Sequence, residues 1–235
     1  MIRLGQLVLD TTPRIAVAVT DRDHNSAIAA AHADVLEVRA DEFSDTDEAY
    51  VTGQVKRIRD IGLPMILTVR NDPAEGARHA LEDSRKYRIF ADAITLVDAV
   101  DIELSSLIRA DVRKLAQDNG KVVIVSKHDF QKTLPDEALD AFFQDAKGFG
   151  ADIVKIAMQA NTIHDVRRLM AFTLKHQESA VITVSLGTRG MISRLALPAM
   201  GSLLTYSYIS QATAPGQIPL AALQQDFRRY YPDQS

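Results

Sequence analysis

The stretch Gly150-Ala-Asp-Ile-Val-Lys-Ile-Ala-Met158 has the pattern of a strand that is covered on both faces. Central strands of a parallel sheet are such nearly continuous apolar runs, so the stretch predicts a parallel sheet. Lys155 lies in its middle, where burial disfavours the ammonium form and lowers the pKa of a lysine. We expect Lys155 either to extend into solvent at a strand end or to end in a cavity. In a cavity, its amine would be a nucleophile that forms a Schiff base with a carbonyl compound.

Seven further segments repeat this pattern, and each is followed by a helical one, with strands spaced just under thirty residues apart on average. Eight such units in 235 residues predict an α/β protein, a (β/α)8 TIM barrel, a fold that typically takes ~250 residues. Since no linker-like stretch interrupts the chain, we expect one barrel domain over residues 1–235, with a short hairpin in residues 2–9 closing its bottom. The alternative is a doubly wound open sheet, but the glycine-rich first turn of that fold is missing. The predicted barrel strands are 14–20, 34–39, 64–70, 100–104, 121–126, 150–158, 180–185 and 202–206, and the predicted helices are 25–32, 46–61, 75–97, 106–119, 135–147, 163–176, 191–196 and 220–229.

The composition is that of an ordinary soluble globular protein, with 46% hydrophobic and 25% charged residues. The net charge of -4 argues against a general nucleic-acid binder. The sequence contains no run long enough to span a bilayer and no signal-peptide pattern, so we expect a cytoplasmic protein without a membrane partner. The absence of cysteine excludes disulfides, thiolate nucleophiles and cysteine-based zinc sites.

Polar residues lie at the ends of most predicted strands, where a barrel places its active site. A histidine there is the usual proton shuttle beside a Schiff-base lysine. Several arginines at one mouth indicate a carboxylate or phosphate ligand, because a guanidinium binds either with two hydrogen bonds. The missing glycine-rich phosphate loop favours a carboxylate. The candidates at or beyond the strand ends are Glu37, Arg39, Arg70, Asp101, Glu103, His128, Lys155, Arg194, Thr213 and Gln217.

Other polar residues receive structural interpretations. Asp101 and Glu103 could be a carboxylate pair for acid–base chemistry or a metal, but we prefer a buried structural network and leave both out of the predicted catalytic set. Lys127 should alternate to the outside of its strand, away from His128. The remaining histidines fall on helical or loop segments and are predicted to lie on the surface: His24, His32, His79, His164 and His176.

Seven short motifs span nearly the whole chain in a fixed order, and together they are highly specific. They are Leu36-Glu-Val-Arg-Ala-Asp41, Leu67-Thr-Val-Arg70, Asp101-Ile-Glu-Leu104, Ser126-Lys-His-Asp-Phe130, Asp152-Ile-Val-Lys-Ile-Ala157, Gly190-Met-Ile-Ser-Arg194 and Ala214-Pro-Gly-Gln217. With these motifs the chain resembles the type I 3-dehydroquinate dehydratases of the shikimate pathway. The resemblance implies a (β/α)8 barrel, usually a homodimer, that uses neither metal nor cofactor.

The resemblance also implies a role for each matching residue. Lys155 matches the lysine that forms an imine with the C3 ketone of 3-dehydroquinate, and His128 matches the general acid and base that yields 3-dehydroshikimate. Glu75 is carried over as the partner of His128, although it follows Arg70 by five residues where the family commonly has four. The substrate-binding matches are Glu37, Arg39, Arg70 and Arg194, with Thr213 (where serine is frequent) and Gln217 on a loop that closes over the substrate.

Two other functions share some of these features. A Schiff-base aldolase would use the same kind of lysine, but it would cleave a carbon–carbon bond and often bind phosphate. A catalytically inactive barrel would bind a carboxylate ligand or serve in an assembly. The set of Lys155, His128 and Arg194 favours the dehydratase. The resemblance places the reaction in aromatic amino-acid biosynthesis, and quinate catabolism, which uses the same reaction, stays open.

Overall fold

Parallel strands form the centre of the computed structural model of this chain, which describes residues 1–10, 12–77 and 80–232. Within these ranges the chain forms eleven strands, three of them only two or three residues long. In chain order they are β1 Ile2–Leu4, β2 Leu7–Leu9, β3 Arg14–Val19, β4 Val35–Arg39, β5 Met65–Thr68, β6 Ala99–Glu103, β7 Val122–Asp129, β8 Ile153–Gln159, β9 Val181–Leu186, β10 Leu204–Tyr208 and β11 Ile218–Pro219.

Helices follow the barrel strands, as the alternating pattern predicts. Their apolar residues pack on the outer face of the sheet, in a core that includes Val55, Phe90 and Leu169. The described ranges contain α1 Asn25–Ala30, α2 Glu48–Arg59, α3 Asp83–Ala93, α4 Arg109–Asp118, α5 Asp136–Phe149, α6 Ile163–Lys175, α7 Ser193–Ala199 and α8 Leu220–Tyr230. Among these residues, no helix is both long and apolar enough to cross a bilayer.

The strands from β3 to β8 each pair in parallel with the next strand in sequence, and β10 pairs in parallel with β3. The barrel closes between β9 and β10, where Val181 forms an isolated parallel bridge with Ser202 and accepts a hydrogen bond from Leu203 N at 2.9 Å. The predicted (β/α)8 barrel is therefore confirmed. The carboxyl ends of all eight strands meet at one mouth, which is where the polar candidates were expected.

The predicted N-terminal hairpin closes the opposite end. β1 and β2 pair antiparallel, with Ile2 opposite Leu9 and Leu4 opposite Leu7. Leu4 and Leu9 are buried in a cluster inside the barrel, to which every barrel strand contributes an apolar residue. These residues are Ala16, Val35, Ile66, Ala99, Ile124, Ile153, Ile182 and Leu204. This apolar floor excludes water from the bottom of the barrel and leaves the mouth as the polar end.

The strand that carries Lys155 is positioned by the end of α5. Gly150 adopts φ +100° there, a left-handed conformation that favours glycine. Its N–H donates to Lys147 O at 2.9 Å and the next N–H, of Ala151, donates to Ala146 O at 3.0 Å, which ends the helix in a Schellman-type turn. The chain then enters β8, and six of its seven residues are buried, as predicted for a strand covered on both faces.

The largest departure from the predicted elements lies between β5 and β6. The predicted helix over 75–97 begins only at Asp83, and residues 78 and 79 of that span lie outside the described residues. A 3₁₀ turn over Pro73–Glu75 precedes it. Proline fixes φ at the start of this turn, and Asp72 caps it by accepting a hydrogen bond from Ala74 N at 2.8 Å. Sequence reasoning also missed the two-residue strand β11.

Candidate active site

A cavity opens at the carboxyl ends of the barrel strands, and it brings together all nine residues predicted for the site. They come from six barrel strands, or the segments that follow them, and are separated by up to 180 residues of sequence. The predicted residues in the lining are Glu37, Arg39, Arg70, Glu75, His128, Lys155, Arg194, Thr213 and Gln217, and Phe130 and Tyr206 line the same cavity.

Lys155 lies at the buried base of this cavity, with only 4% of its surface exposed. Its Nζ donates to Glu37 Oε1 at 2.7 Å and to Asp101 Oδ2 at 2.9 Å, and it lies 4.3 Å from the ring centroid of Tyr206. Burial alone lowers the pKa of Lys155, as the sequence predicted, but Asp101 and Glu37 outweigh it and raise the pKa above 10.5. The expectation of a partly neutral amine is therefore wrong for this structure: Lys155 is held as an ammonium.

Asp101 was left out of the predicted catalytic set, yet it contacts Lys155 directly. Burial raises the pKa of its carboxyl, but Arg70 and Lys155 outweigh burial and hold the pKa far below 3.8. Arg70 Nη2 lies 2.8 Å from Asp101 Oδ1, which also accepts a hydrogen bond from Ser126 Oγ at 2.6 Å. The preferred interpretation of Asp101 as part of a buried network agrees with these contacts, and the same carboxylate also contacts the lysine.

The network continues away from the cavity through Glu103. This carboxylate lies 3.6 Å from Arg70 Nη1 and accepts a hydrogen bond from Lys86 Nζ at 2.7 Å. Lys86 extends inward from α3 and is fully buried. The preferred interpretation of Glu103 as part of a buried structural network agrees with these contacts. A chain of alternating charges thus fixes Arg70 from both sides.

Arg39 forms a second charged wall of the cavity. Its Nε and Nη2 bind the two carboxylate oxygens of Asp41 at 3.1 and 2.7 Å, and Nη2 lies 3.5 Å from Glu42 Oε1. Burial disfavours the guanidinium, but Asp41 and Glu37 raise the pKa of Arg39 above its ordinary value. Asp41 belongs to the same sequence motif as Arg39, and its partnership gives Arg39 a fixed orientation.

His128 lies on the same side of the cavity as Glu75. His128 N donates to Glu75 Oε2 at 3.0 Å, and its ring Nδ1 is 3.4 Å from the same oxygen. Burial, together with the Arg70 and Lys155 cations, lowers the pKa of His128 well below 6.5. The imidazole is therefore neutral near neutral pH, the form that a general base requires.

The 3₁₀ turn explains how Glu75 reaches His128 despite its shifted spacing. The turn over Pro73–Glu75 brings the Glu75 carboxylate to His128, and Gly76 leaves the turn with φ +92°. A Cβ at Gly76 would lie 2.8 Å from the Phe130 ring, so this position requires glycine. Burial raises the pKa of Glu75, and Ser105 Oγ donates to its Oε1 at 2.9 Å.

Arg194 contributes a cation of a different kind. It is buried in the first turn of α7, and Nη1 donates to Tyr206 O at 3.4 Å. Its Nε and Nη2 have no hydrogen-bond partner among the described residues. Burial lowers the pKa of Arg194 to about 10, so it stays charged at neutral pH. A buried guanidinium with free donors is well suited to bind an anion.

The loop after β10 covers the mouth of the cavity. Gln217 Oε1 accepts hydrogen bonds from Thr213 N at 2.7 Å and Ala214 N at 3.3 Å, which folds the loop on itself. Gly187 N donates to Pro215 O at 3.1 Å and ties the loop to the end of β9. A Cβ at Gly216 would lie 2.3 Å from Gly187 O, so only glycine allows the loop to lie this close.

Lys127 and the other histidines that the structure describes lie away from the cavity. Lys127 lies on the outer side of β7, as predicted, and His24, His32 and His164 are exposed, while His79 lies outside the described residues. The prediction of a surface position is wrong for His176, which packs 4.0 Å from the Phe143 ring and 4.6 Å from the Phe172 ring. The end of α6 is pressed against α5 there, and Nε2 reaches Asp140 at 3.1 Å.

The fold and this cavity define a class of protein: a (β/α)8 barrel with a buried lysine, a neutral histidine and an arginine with free donors at its mouth. The family model of type I 3-dehydroquinase matches residues 15–231. The chain belongs to this family.

Individual relatives agree with the family match. The 3-dehydroquinate dehydratase of Aquifex aeolicus strain VF5 is 35% identical over 221 residues, which cover 92% of this chain and 98% of the relative. The crystal structure of 3-dehydroquinate dehydratase from Geobacillus kaustophilus superposes with a TM-score of 0.85 at 30% identity, covering 94% of this chain and 93% of that chain. The Aquifex aeolicus crystal structure gives a TM-score of 0.83 at 34% identity, covering 93% and 99%.

Proposed function

We propose that the chain is a hydro-lyase that converts 3-dehydroquinate into 3-dehydroshikimate through a Schiff base on Lys155. The observation that carries the proposal is the position of Lys155 Nζ, which lies inside the cavity between the carboxylates of Glu37 and Asp101. A lysine and a neutral histidine in one lining are the groups that this chemistry requires. The shared name of the relatives supports the choice of substrate.

Imine formation begins with the loss of a proton from Lys155. Glu37 Oε1 contacts the ammonium at 2.7 Å, so this carboxylate can accept the proton over one hydrogen bond and pass it on to the carbonyl oxygen. The freed amine attacks C3 of the substrate, and the carbonyl oxygen takes up two protons and leaves as water. The product is a protonated imine between Nζ and C3, whose positive charge the two carboxylates stabilise.

Dehydration then uses the imine as an electron sink. His128 takes a proton from C2, and the electron pair of that bond shifts toward the imine nitrogen. His128 returns the proton to the C1 hydroxyl, which leaves as water while the electron pair shifts back and forms the C1–C2 double bond. A water molecule hydrolyses the imine, which releases 3-dehydroshikimate and restores Lys155. Glu75 holds His128 in position for both proton transfers.

The substrate is held by the remaining residues of the lining. Arg194, with its free Nε and Nη2, binds the carboxylate. Thr213 and Gln217 belong to the loop over the mouth, and they exclude water and fix the geometry for proton transfer. The charged wall of Glu37, Arg39 and Arg70 faces the substrate hydroxyls.

The test is borohydride trapping in the presence of 3-dehydroquinate, followed by mass spectrometry of the peptide that contains Lys155. We expect a reduced adduct on Lys155 and a rise in absorbance from the enone product. Lys155→Ala should lose both signals, while Lys127→Ala, on the outer side of β7, should keep both. His128→Asn should turn over very slowly yet still give some adduct. Wild-type-like turnover by Lys155→Ala would exclude the imine mechanism.

Three further proposals rest on the family resemblance. We propose that the reaction needs neither metal nor cofactor, that the protein acts in the cytoplasm, and that it is a homodimer. Light scattering at micromolar protein concentration tests the dimer, since a mass of one chain would contradict it. Turnover that survives treatment with a chelator tests the first of these proposals.

A further inference from the structure

Few buried polar atoms lack a hydrogen-bond partner within the described part of the chain, and those in the cavity lining belong to two residues. They are Nε and Nη2 of Arg194 and the hydroxyl of Tyr206. An unsatisfied buried group costs free energy, about 1–3 kcal/mol, so a native protein that keeps one needs a reason. The proposed function accounts for Arg194 and leaves the Tyr206 hydroxyl unexplained.

Tyr206 lies close to both groups that hold the substrate in the proposed mechanism. Its ring centroid is 4.3 Å from Lys155 Nζ, and its carbonyl oxygen accepts a hydrogen bond from Arg194 Nη1 at 3.4 Å. The side chain is 4% exposed and points into the barrel interior from β10. Burial raises the pKa of its hydroxyl and outweighs the Lys155 ammonium, which lies beside the hydroxyl as a hydrogen-bond donor and lowers that pKa, so the group stays protonated and its O–H can still donate. A carboxylate, which only accepts, is the natural partner of such donors.

We propose that Tyr206 is a further substrate-binding residue, whose hydroxyl donates a hydrogen bond to the substrate carboxylate beside Arg194. This inference rests on the proposed function, because the carboxylate is that of 3-dehydroquinate. It explains why three donors of the lining, two on Arg194 and one on Tyr206, share the same unpartnered state. The carboxylate takes all three into one set of charge-assisted hydrogen bonds.

Tyr206→Phe removes only the hydroxyl, and the chain offers a matched control on the same strand. Thr205 also carries a buried hydroxyl without a partner in the described residues, but it does not line the cavity. Its side chain lies on the opposite face of β10, because side chains alternate along a strand. Thr205→Val therefore removes the same kind of group without touching the site, and neither variant should be less stable than the wild type.

Steady-state turnover of 3-dehydroquinate and the inhibition constant of quinate are the two readouts. Quinate has the same carboxylate but a hydroxyl in place of the ketone, so it cannot form an imine and reports binding alone. We expect Tyr206→Phe to lower kcat/KM and to weaken quinate binding by about 10- to 100-fold, the loss for one hydrogen bond to a charged group. Thr205→Val should keep both kcat/KM and the inhibition constant of quinate within about threefold of the wild-type values, since the Thr205 side chain does not line the cavity.

Three results would overturn this assignment. Equal quinate binding by Tyr206→Phe and Thr205→Val would show that the hydroxyl does not contact the ligand. If Tyr206→Phe weakens binding of the methyl ester of quinate by the same factor as binding of quinate, the carboxylate is not the partner of the Tyr206 hydroxyl. A lower stability of Tyr206→Phe would show that the hydroxyl is already bonded in the free protein. Failure of the proposed function itself is distinguishable, because then the wild type would not turn over 3-dehydroquinate.

Discussion

Lys86 gives the sharpest test of how the buried charges stabilise the barrel. Its Nζ lies 2.7 Å from Glu103 Oε2, and both side chains are at most 2% exposed. Lys86→Met keeps much of the shape of the side chain and removes the charge. Glu103 is then left with Arg70 at 3.6 Å and a hydrogen bond of 3.4 Å from Asn71 N. Removing one partner of a buried ion pair costs about 3–5 kcal/mol, and we expect the lower part of this range because Arg70 still compensates the buried Glu103 charge in part.

A second ion pair with the same geometry serves as the control. Lys114 Nζ also lies 2.7 Å from a carboxylate oxygen, that of Asp118, but these side chains are 75% and 60% exposed. Ion pairs in solvent are screened and contribute little, so Lys114→Met should change the free energy of unfolding very little. The two substitutions are chemically identical and break ion pairs of equal length, and burial is the main difference between the two pairs.

The assay is equilibrium unfolding in urea, supported by thermal unfolding. For a domain of this size, 1 kcal/mol corresponds to about 2–4 °C in Tm, so Lys86→Met should lower Tm by about 6–20 °C. Lys114→Met should lower it by no more than about 4 °C. If the free energies of unfolding of the two variants differ by less than about 1 kcal/mol, with the same m-value in urea, burial does not determine how much the Lys86–Glu103 pair stabilises the protein.

Three other predictions concern the site. The pKa of His128 is lower in the folded protein than in the unfolded chain, so near and below pH 6.5 the unfolded chain binds more protons. The neutral His128 therefore contributes to the free energy of unfolding at pH 7, and this contribution is lost as pH falls. In urea unfolding, His128→Asn should lose less stability than the wild type between pH 7 and pH 5. Gly216→Ala should lower kcat/KM, because its Cβ would strike the Gly187 carbonyl under the loop, whereas Gly62→Ala, also at positive φ but with open space, should only reduce stability; equal activities would contradict this. Asp101→Asn removes a charge that raises the pKa of Lys155, so the pH dependence of borohydride trapping should shift to lower pH, and an unchanged profile would count against it.

The barrel could be predicted from sequence because its signal is local. A strand covered on both faces has to be apolar along its length, and the run around Lys155 has this property whatever its neighbours are. The bottom hairpin also has a local signal, two short apolar runs around a Gly5-Gln6 turn. The candidate site followed from the rule that barrel strands end at one mouth, which needs no contact information.

The charge pairing could not be predicted, because it depends on distances between strands. Lys155 is neutralised by carboxylates 54 and 118 residues away in sequence, and nothing local distinguishes such an ammonium from a free amine. Tyr206 was unremarkable within an apolar run, since its missing partner is a property of the folded cavity. His176 lies on a helical segment with a polar pattern, and its burial results from the packing of α6 on α5.

Lys155 and Arg194 show that the site treats two of its cations in opposite ways. The lysine is compensated by the protein itself, with carboxylates at 2.7 and 2.9 Å. The arginine is equally buried, yet no salt bridge joins it to a carboxylate within the described ranges, and two of its donors are free. A group that has to change its charge during the reaction needs nearby proton acceptors. A group that binds an anion needs the opposite, because a carboxylate of the protein would compete with that anion for its donors. This difference supports the proposed assignment of chemistry to Lys155 and of anion binding to Arg194, to which the family resemblance adds the imine and the carboxylate.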